Sequence, residues 1–137
     1  MGSAFAPDAL ARRADLSPEA PALVHLPDEA ITTYAAWSAR VSQTARALRE
    51  LGVEPGARVA VLAANHPTWL DVWFACGRIG AVLQALNWRL PPDPLGRLVT
   101  AAAPALVVHD AAHAKAASAL PAPRALGFEE LEDRRRR

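Results

Sequence analysis

The sequence predicts an α/β layered fold, a mainly parallel sheet with flanking helices. Three observations carry that expectation. Strand-like and helix-like segments alternate from Tyr34 to Leu120, the order in which helices serve as crossovers between parallel strands. Arg58 to Ala63 (RVAVLA) carries a continuous apolar run, as in a strand buried on both faces. Trp37, Val41, Thr44, Leu48 and Leu51 recur at steps of four and three, which is one face of an α-helix.

The elements follow in order. Pro7 to Leu16 reads as a short helix, Ala20 to Leu26 as a strand, and Pro27-Asp28-Glu29 as a turn. Ile31-Thr32-Thr33 is short and β-branched, and the Thr33 hydroxyl can cap a helix over Tyr34–Leu51. Gly52 suits the position just past that helix, because a left-handed residue closes it without steric cost. After the strand Arg58–Ala63, Asn65 or His66 caps a second helix, Pro67 sits in its first turn, and Gly80 ends it. Ala81–Leu86 is a third strand, Asn87 to Pro92 a loop, and Asp93–Ala103 a helix. Ala105–His109 is a fourth strand and Ala111–Leu120 an alanine-rich helix. Residues 1–120 are expected to form the packed unit, and 121–137 a poorly packed tail.

Composition narrows the function classes. The chain has 137 residues, 52% of them hydrophobic, which excludes a disordered or collagen-like polymer. Alanine supplies 32 of the 71 hydrophobic residues, so the core is thin for the length. Net charge is +1, but removing Arg134–Arg137 leaves 11 basic residues against 14 acidic, so a nucleic-acid partner is not expected. One cysteine, Cys76, excludes an internal disulfide and fits a reducing compartment. No apolar run reaches the roughly 18 residues of a membrane span, and no basic segment leads into an apolar stretch at the N-terminus. A cytoplasmic location is the expectation.

Chemistry-bearing motifs are sparse. The sequence has no Walker loop, no Gly-x-Gly-x-x-Gly and no nucleophile elbow, and its only lysine is Lys115. His109 and His113 have the spacing of a metal pair, but Asp110 replaces the glutamate of His-Glu-x-x-His and no third ligand stands nearby. Capping and surface roles are the better reading, and neither a metal nor a catalytic residue is assigned. Cys76 and the pair Trp69/Trp73 read as core. Topology gives one positive clue, since ligands of open parallel sheets bind beyond the carboxyl ends of strands. The candidate ligand-binding residues there are Asn65, His66, Asn87, Trp88 and Arg89. Arg89 could pair with a phosphate or carboxylate. Each also has a structural reading: helix cap for Asn65, turn for Asn87, ion pair for Arg89.

Three segments together resemble one family. They are Thr33-Tyr34 with the helix ending Leu48-Arg49-Glu50-Leu51-Gly52-Val53, then Pro55-Gly56-Ala57-Arg58-Val59-Ala60-Val61 through Ala64-Asn65-His66-Pro67, and then Phe74 to Leu90. Their order and spacing resemble the N-terminal region of the adenylate-forming, AMP-binding acyl-CoA synthetases, over about residues 8–110. Val82-Leu83-Gln84-Ala85-Leu86-Asn87 resembles the fatty-acyl-CoA ligases more than amino-acid adenylation domains, while Ala57 and Ala85 depart mildly from the family pattern.

The resemblance implies a partial N-terminal subdomain of the adenylate-forming ligase fold. It implies a two-step reaction in full-length members. ATP and a carboxylate give an acyl-adenylate, and CoA then forms the thioester, with ATP, Mg²⁺ and CoA as cofactors and substrates. The family's Pro-Lys-Gly phosphate loop, Tyr-Gly-x-Thr-Glu segment, ribose-binding aspartate and late catalytic lysine have no match here, and Lys115 lacks the context of that lysine. The expectation is therefore a truncated synthetase, inactive alone and binding no cofactor alone. Its partner would be the missing remainder, or a second copy through exposed apolar faces. The run Arg134–Arg137 reads as unlike a natural domain end. Two alternatives are a non-catalytic module that pairs with a synthetase, and a small α/β domain binding an anion at Asn87–Arg89.

Overall fold

The computed structural model describes residues 8–137. The chain runs α1 (Ala9–Leu16), β1 (Pro21–His25), β2 (Ala30–Thr33), α2 (Tyr34–Glu50), β3 (Arg58–Leu62), α3 (Pro67–Ile79) and β4 (Val82–Ala85). It continues with α4 (Pro92–Ala102), β5 (Leu106–His109), α5 (Ala114–Ser118), β6 (Ala125–Gly127) and α6 (Phe128–Arg135). A single 3₁₀ turn, Ala111–His113, precedes α5. Pro7, where the first helix was expected to begin, lies outside the described residues.

Four strands form one parallel sheet in the order β4-β3-β5-β6. The chain leaves β3 to one side, reaching β4 through α3, and returns through α4 to β5 on the other side. That reversal puts α3 and α4 on opposite faces, because parallel crossovers are right-handed. Alternation along the strands feeds both faces. Val59, Val61, Leu106, Val108 and Leu126 pack under α2, α3 and α6, whereas Ala60, Leu62 and Val107 pack under α4 and α5. The apolar run of β3 is thereby explained: both of its faces are covered.

The helix ends follow the capping chemistry. The Thr33 hydroxyl accepts from the Ala36 N–H at 3.2 Å. His66, not Asn65, caps α3, its Nδ1 accepting from the Thr68 N–H at 3.1 Å with Pro67 following in the first turn. Gly52 and Gly80 adopt φ of +87° and +74°, the left-handed region that ends a helix. β1 and β2 form a separate antiparallel hairpin, with Val24 opposite Ile31.

Residues 121–137 correct the expectation of a poorly packed tail. β6 pairs in parallel with β5, Val108 opposite Leu126, and Leu126, Phe128 and Leu131 are buried. Part of the arginine run joins this packing. Arg135 is buried and donates to the fully buried Asp71 at 2.7 Å, while Arg46 of α2 donates to the Arg135 carbonyl at 3.1 Å. Arg134 pairs with Glu130 one turn back. The segment was illegible because β6 has only three residues and α6 is mostly charged, so neither shows a period until its partners are known.

Candidate functional site

The carboxyl ends of β3, β4 and β5 lie side by side, and Asp110 ties two of them together. Its Oδ2 accepts from the Ala64 N–H at 2.9 Å, just past β3. Its Oδ1 accepts from the His113 N–H at 3.0 Å and from the His113 ring Nδ1–H at 2.5 Å. Burial works against the charge on Asp110, but these hydrogen bonds and the neighbouring imidazole outweigh it and hold the carboxyl below its usual range. His109 turns its Nδ1–H to the Asp110 carbonyl at 2.8 Å. Thus His109 and His113 are engaged in holding a turn, and among the described residues no cluster of His, Cys, Asp and Glu is suited to a metal ion.

Beyond β4, the Asn87 Oδ1 accepts from the Arg89 N–H at 3.1 Å, which fixes the loop. Among the described residues Arg89 pairs with no acid. Its guanidinium lies 4.2 Å from the centre of the Trp88 ring, and His113 approaches Trp88 at 5.3 Å. The structure thus joins Trp88 and Arg89 to His113, a residue with no sequence signal for that neighbourhood.

Asn65 and His66 lie elsewhere on the rim. They border a cleft of about 540 Å³ between the β1–β2 hairpin and the start of α3, walled mainly by Leu23, Leu26, Pro27, Trp69 and Leu70. The His66 ring is 5.2 Å from Phe128 and 5.8 Å from His25. The five candidate residues therefore divide between two places, with Asn65 and His66 at this cleft and Asn87, Trp88 and Arg89 beyond β4.

A third polar centre was missed from the sequence. Asp71 accepts from Trp37 Nε1 at 3.0 Å, Arg40 Nε at 2.8 Å and Arg135 Nη1 at 2.7 Å. It binds α2, α3 and α6 into one block. The available signal was an acid set inside the apolar run Trp69 to Ala75. Cys76, one turn further on, is buried, and burial pushes its thiol up to about 12, so it is a core residue rather than a nucleophile.

The AMP-binding enzyme family matches residues 10–135, nearly all of the described chain. The chain belongs to that family. A feruloyl-CoA synthase of an Amycolatopsis species is 43% identical over 115 residues, which are 84% of this chain and 23% of that protein. A Streptomyces feruloyl-CoA synthase gives the same figures. Among solved structures, the Mycobacterium tuberculosis fatty acyl CoA synthetase superposes with a TM-score of 0.88 at 27% identity, over 93% of this chain and 27% of that one. The N-terminal domain of FACL13 from the same organism also gives 0.88 at 27% identity, with this chain covering 34% of it.

The chain corresponds to part of an AMP-binding acyl-CoA synthetase and spans about a quarter of the length of the curated relatives it matches. The described residues do not by themselves fit ATP and Mg²⁺. The rim guanidinium, Arg89, is stacked on an indole, and no acidic cluster among the described residues would hold the metal. No step of adenylation is derived from this segment.

Proposed function

We propose that this chain is the amino-terminal section of an ATP-dependent acyl-CoA synthetase and that it contributes scaffold rather than chemistry. In the reaction of such a synthetase, a carboxylate oxygen attacks the α-phosphorus of ATP and pyrophosphate leaves. The CoA sulfur then attacks the acyl carbonyl, and AMP leaves. The observation that supports the reading is the family match across residues 10–135 in a sequence without the phosphate-binding loop and catalytic lysine. The two feruloyl-CoA synthases at 43% identity favour an aromatic acid such as ferulate as the first substrate to try, ahead of a fatty acid. Asn87, Trp88 and Arg89 are the contact points for a ligand at the carboxyl rim, where ligands of parallel sheets bind, while Asn65 and His66 border the separate cleft beside the hairpin. The single cysteine supports a cytoplasmic location.

The test is carboxylate-dependent pyrophosphate–ATP exchange. The purified chain alone should show none with ferulate or with a fatty acid. A chimera in which it replaces the matching segment of a feruloyl-CoA synthase should exchange with ferulate and form feruloyl-CoA. Exchange by the chain alone, or a folded chimera without activity, would overturn the reading.

A further inference from the structure

The main sheet is covered on both faces, but the hairpin is not. Val24 and Ile31 stand opposite each other on β1 and β2 and are 55% and 64% exposed, and Leu26 is 81% exposed. Across the cleft, Trp69 meets Trp73 edge-on at 5.9 Å, and Trp73 is 51% exposed. Single exposed apolar side chains are ordinary, whereas a contiguous set around a concave apolar cleft marks a surface built to be covered. A two-stranded hairpin is also marginal by itself and gains from a further strand or a packed neighbour.

We infer that the outer face of the β1–β2 hairpin, the cleft of about 540 Å³ beside it and the exposed aromatic edge of α3 form the seat for the remaining polypeptide of the synthetase. The inference rests on the synthetase reading above and names where the partner binds. The occupant follows from the comparisons. This fold fills 34% of the solved N-terminal domain of FACL13, so two-thirds of that domain's chain lies outside the matched segment. The matched segment is 23% of each feruloyl-CoA synthase, leaving a polypeptide three times larger to pack beside it. The seat is shaped for such a neighbour. Leu26 and Trp69 wall an apolar hollow, and His25, Asn65 and His66 stand on its polar margin.

The decisive experiment compares Leu26→Asp and Ile31→Lys in two settings. In the isolated chain both side chains already face solvent, so each variant should melt within about a degree or two of the parent. In the feruloyl-CoA synthase chimera the same positions become buried. There each variant should shorten the half-life of the folded state at fixed temperature about tenfold, the loss typical of one anchoring residue. Leu98→Asp, on α4 at the opposite face of the sheet, should leave that half-life within roughly twofold. Half-life is followed by intrinsic fluorescence, so the interface is tested even if the chimera makes no feruloyl-CoA. Hairpin variants that are neutral in the chimera would overturn the inference, as would a parental chimera that does not fold. Sedimentation showing a dimer of the isolated chain that Leu26→Asp dissociates would assign the seat to a second copy and overturn it as well.

Discussion

Asp71 shows how a single residue can organise a small fold. Its carboxylate is fully buried and takes three donors from two neighbouring helices, α2 and α6. A buried charge is tolerated only when it is paired, and removal of one partner strands the other. Asp71→Ala strands Arg40, Arg135 and the Trp37 indole N–H together, so it should cost about 3–5 kcal/mol in urea unfolding. Arg135→Leu leaves Asp71 paired with Arg40 and Trp37, and should cost less, about 1–3 kcal/mol. An equal cost for both would mean that Asp71 is not the hub.

Asp110 makes a pH-dependent contribution. Its folded pKa is depressed below the ordinary 3.8, so its stabilisation is complete above that value and is lost as pH falls through the lower, folded pKa. Asp8, held down in the same direction by the Ala11 N–H and Arg78 against the opposing effect of burial, adds to the same acid limb. Urea midpoints should therefore begin to drop below about pH 5 and go on falling through and below pH 3.8, and Asp110→Asn should make that drop shallower. An unchanged slope in the variant would show that Asp110 does not couple β3 to β5 through its charge.

At the scale of elements, the final strand and helix carry more than their length suggests. β6 gives β5 its second neighbour, and α6 sets Phe128 and Leu131 into the same core as α2 and α3. Leu126, Phe128 and Leu131 each contribute about 1.5–3 kcal/mol by burial. Against a typical total stability of about 5–15 kcal/mol, their loss is close to decisive. A chain ending at Arg124 should lose its cooperative urea transition and its near-ultraviolet circular dichroism. Retention of both would restore the view that the last residues are dispensable. The sequence showed α2 and α3 well because each has enough residues to display a period and carries a cap. α2 shows its face over five turns, and Thr33, Pro67 and Gly80 mark boundaries by local chemistry alone.

For the whole molecule, the contrast is between a finished sheet and an unfinished surface. The parallel sheet has helices on both faces, while the hairpin packs against α2 and the core on one side and leaves Val24 and Ile31 in solvent on the other. The same contrast runs through function. The family assignment covers residues 10–135, and the residues gathered at the carboxyl rim hold turns and one another. The expected lack of exchange activity in the isolated chain and the expected burial of Leu26 in the chimera would be two expressions of one arrangement.

What the sequence by itself determined is everything carried by local or periodic chemistry: the alternation of strands and helices, the caps, the buried central strand and the three segments that resemble the AMP-binding synthetases. Tertiary structure alone decided the rest. It brought Trp88 beside His113, separated Asn65 and His66 from Arg89, and turned Arg135 inward onto Asp71 across 64 positions of chain. The physical reason is range. Helix periods and caps act within a few residues, whereas a buried ion pair or a three-residue edge strand gains its stability only when distant segments meet and exclude water.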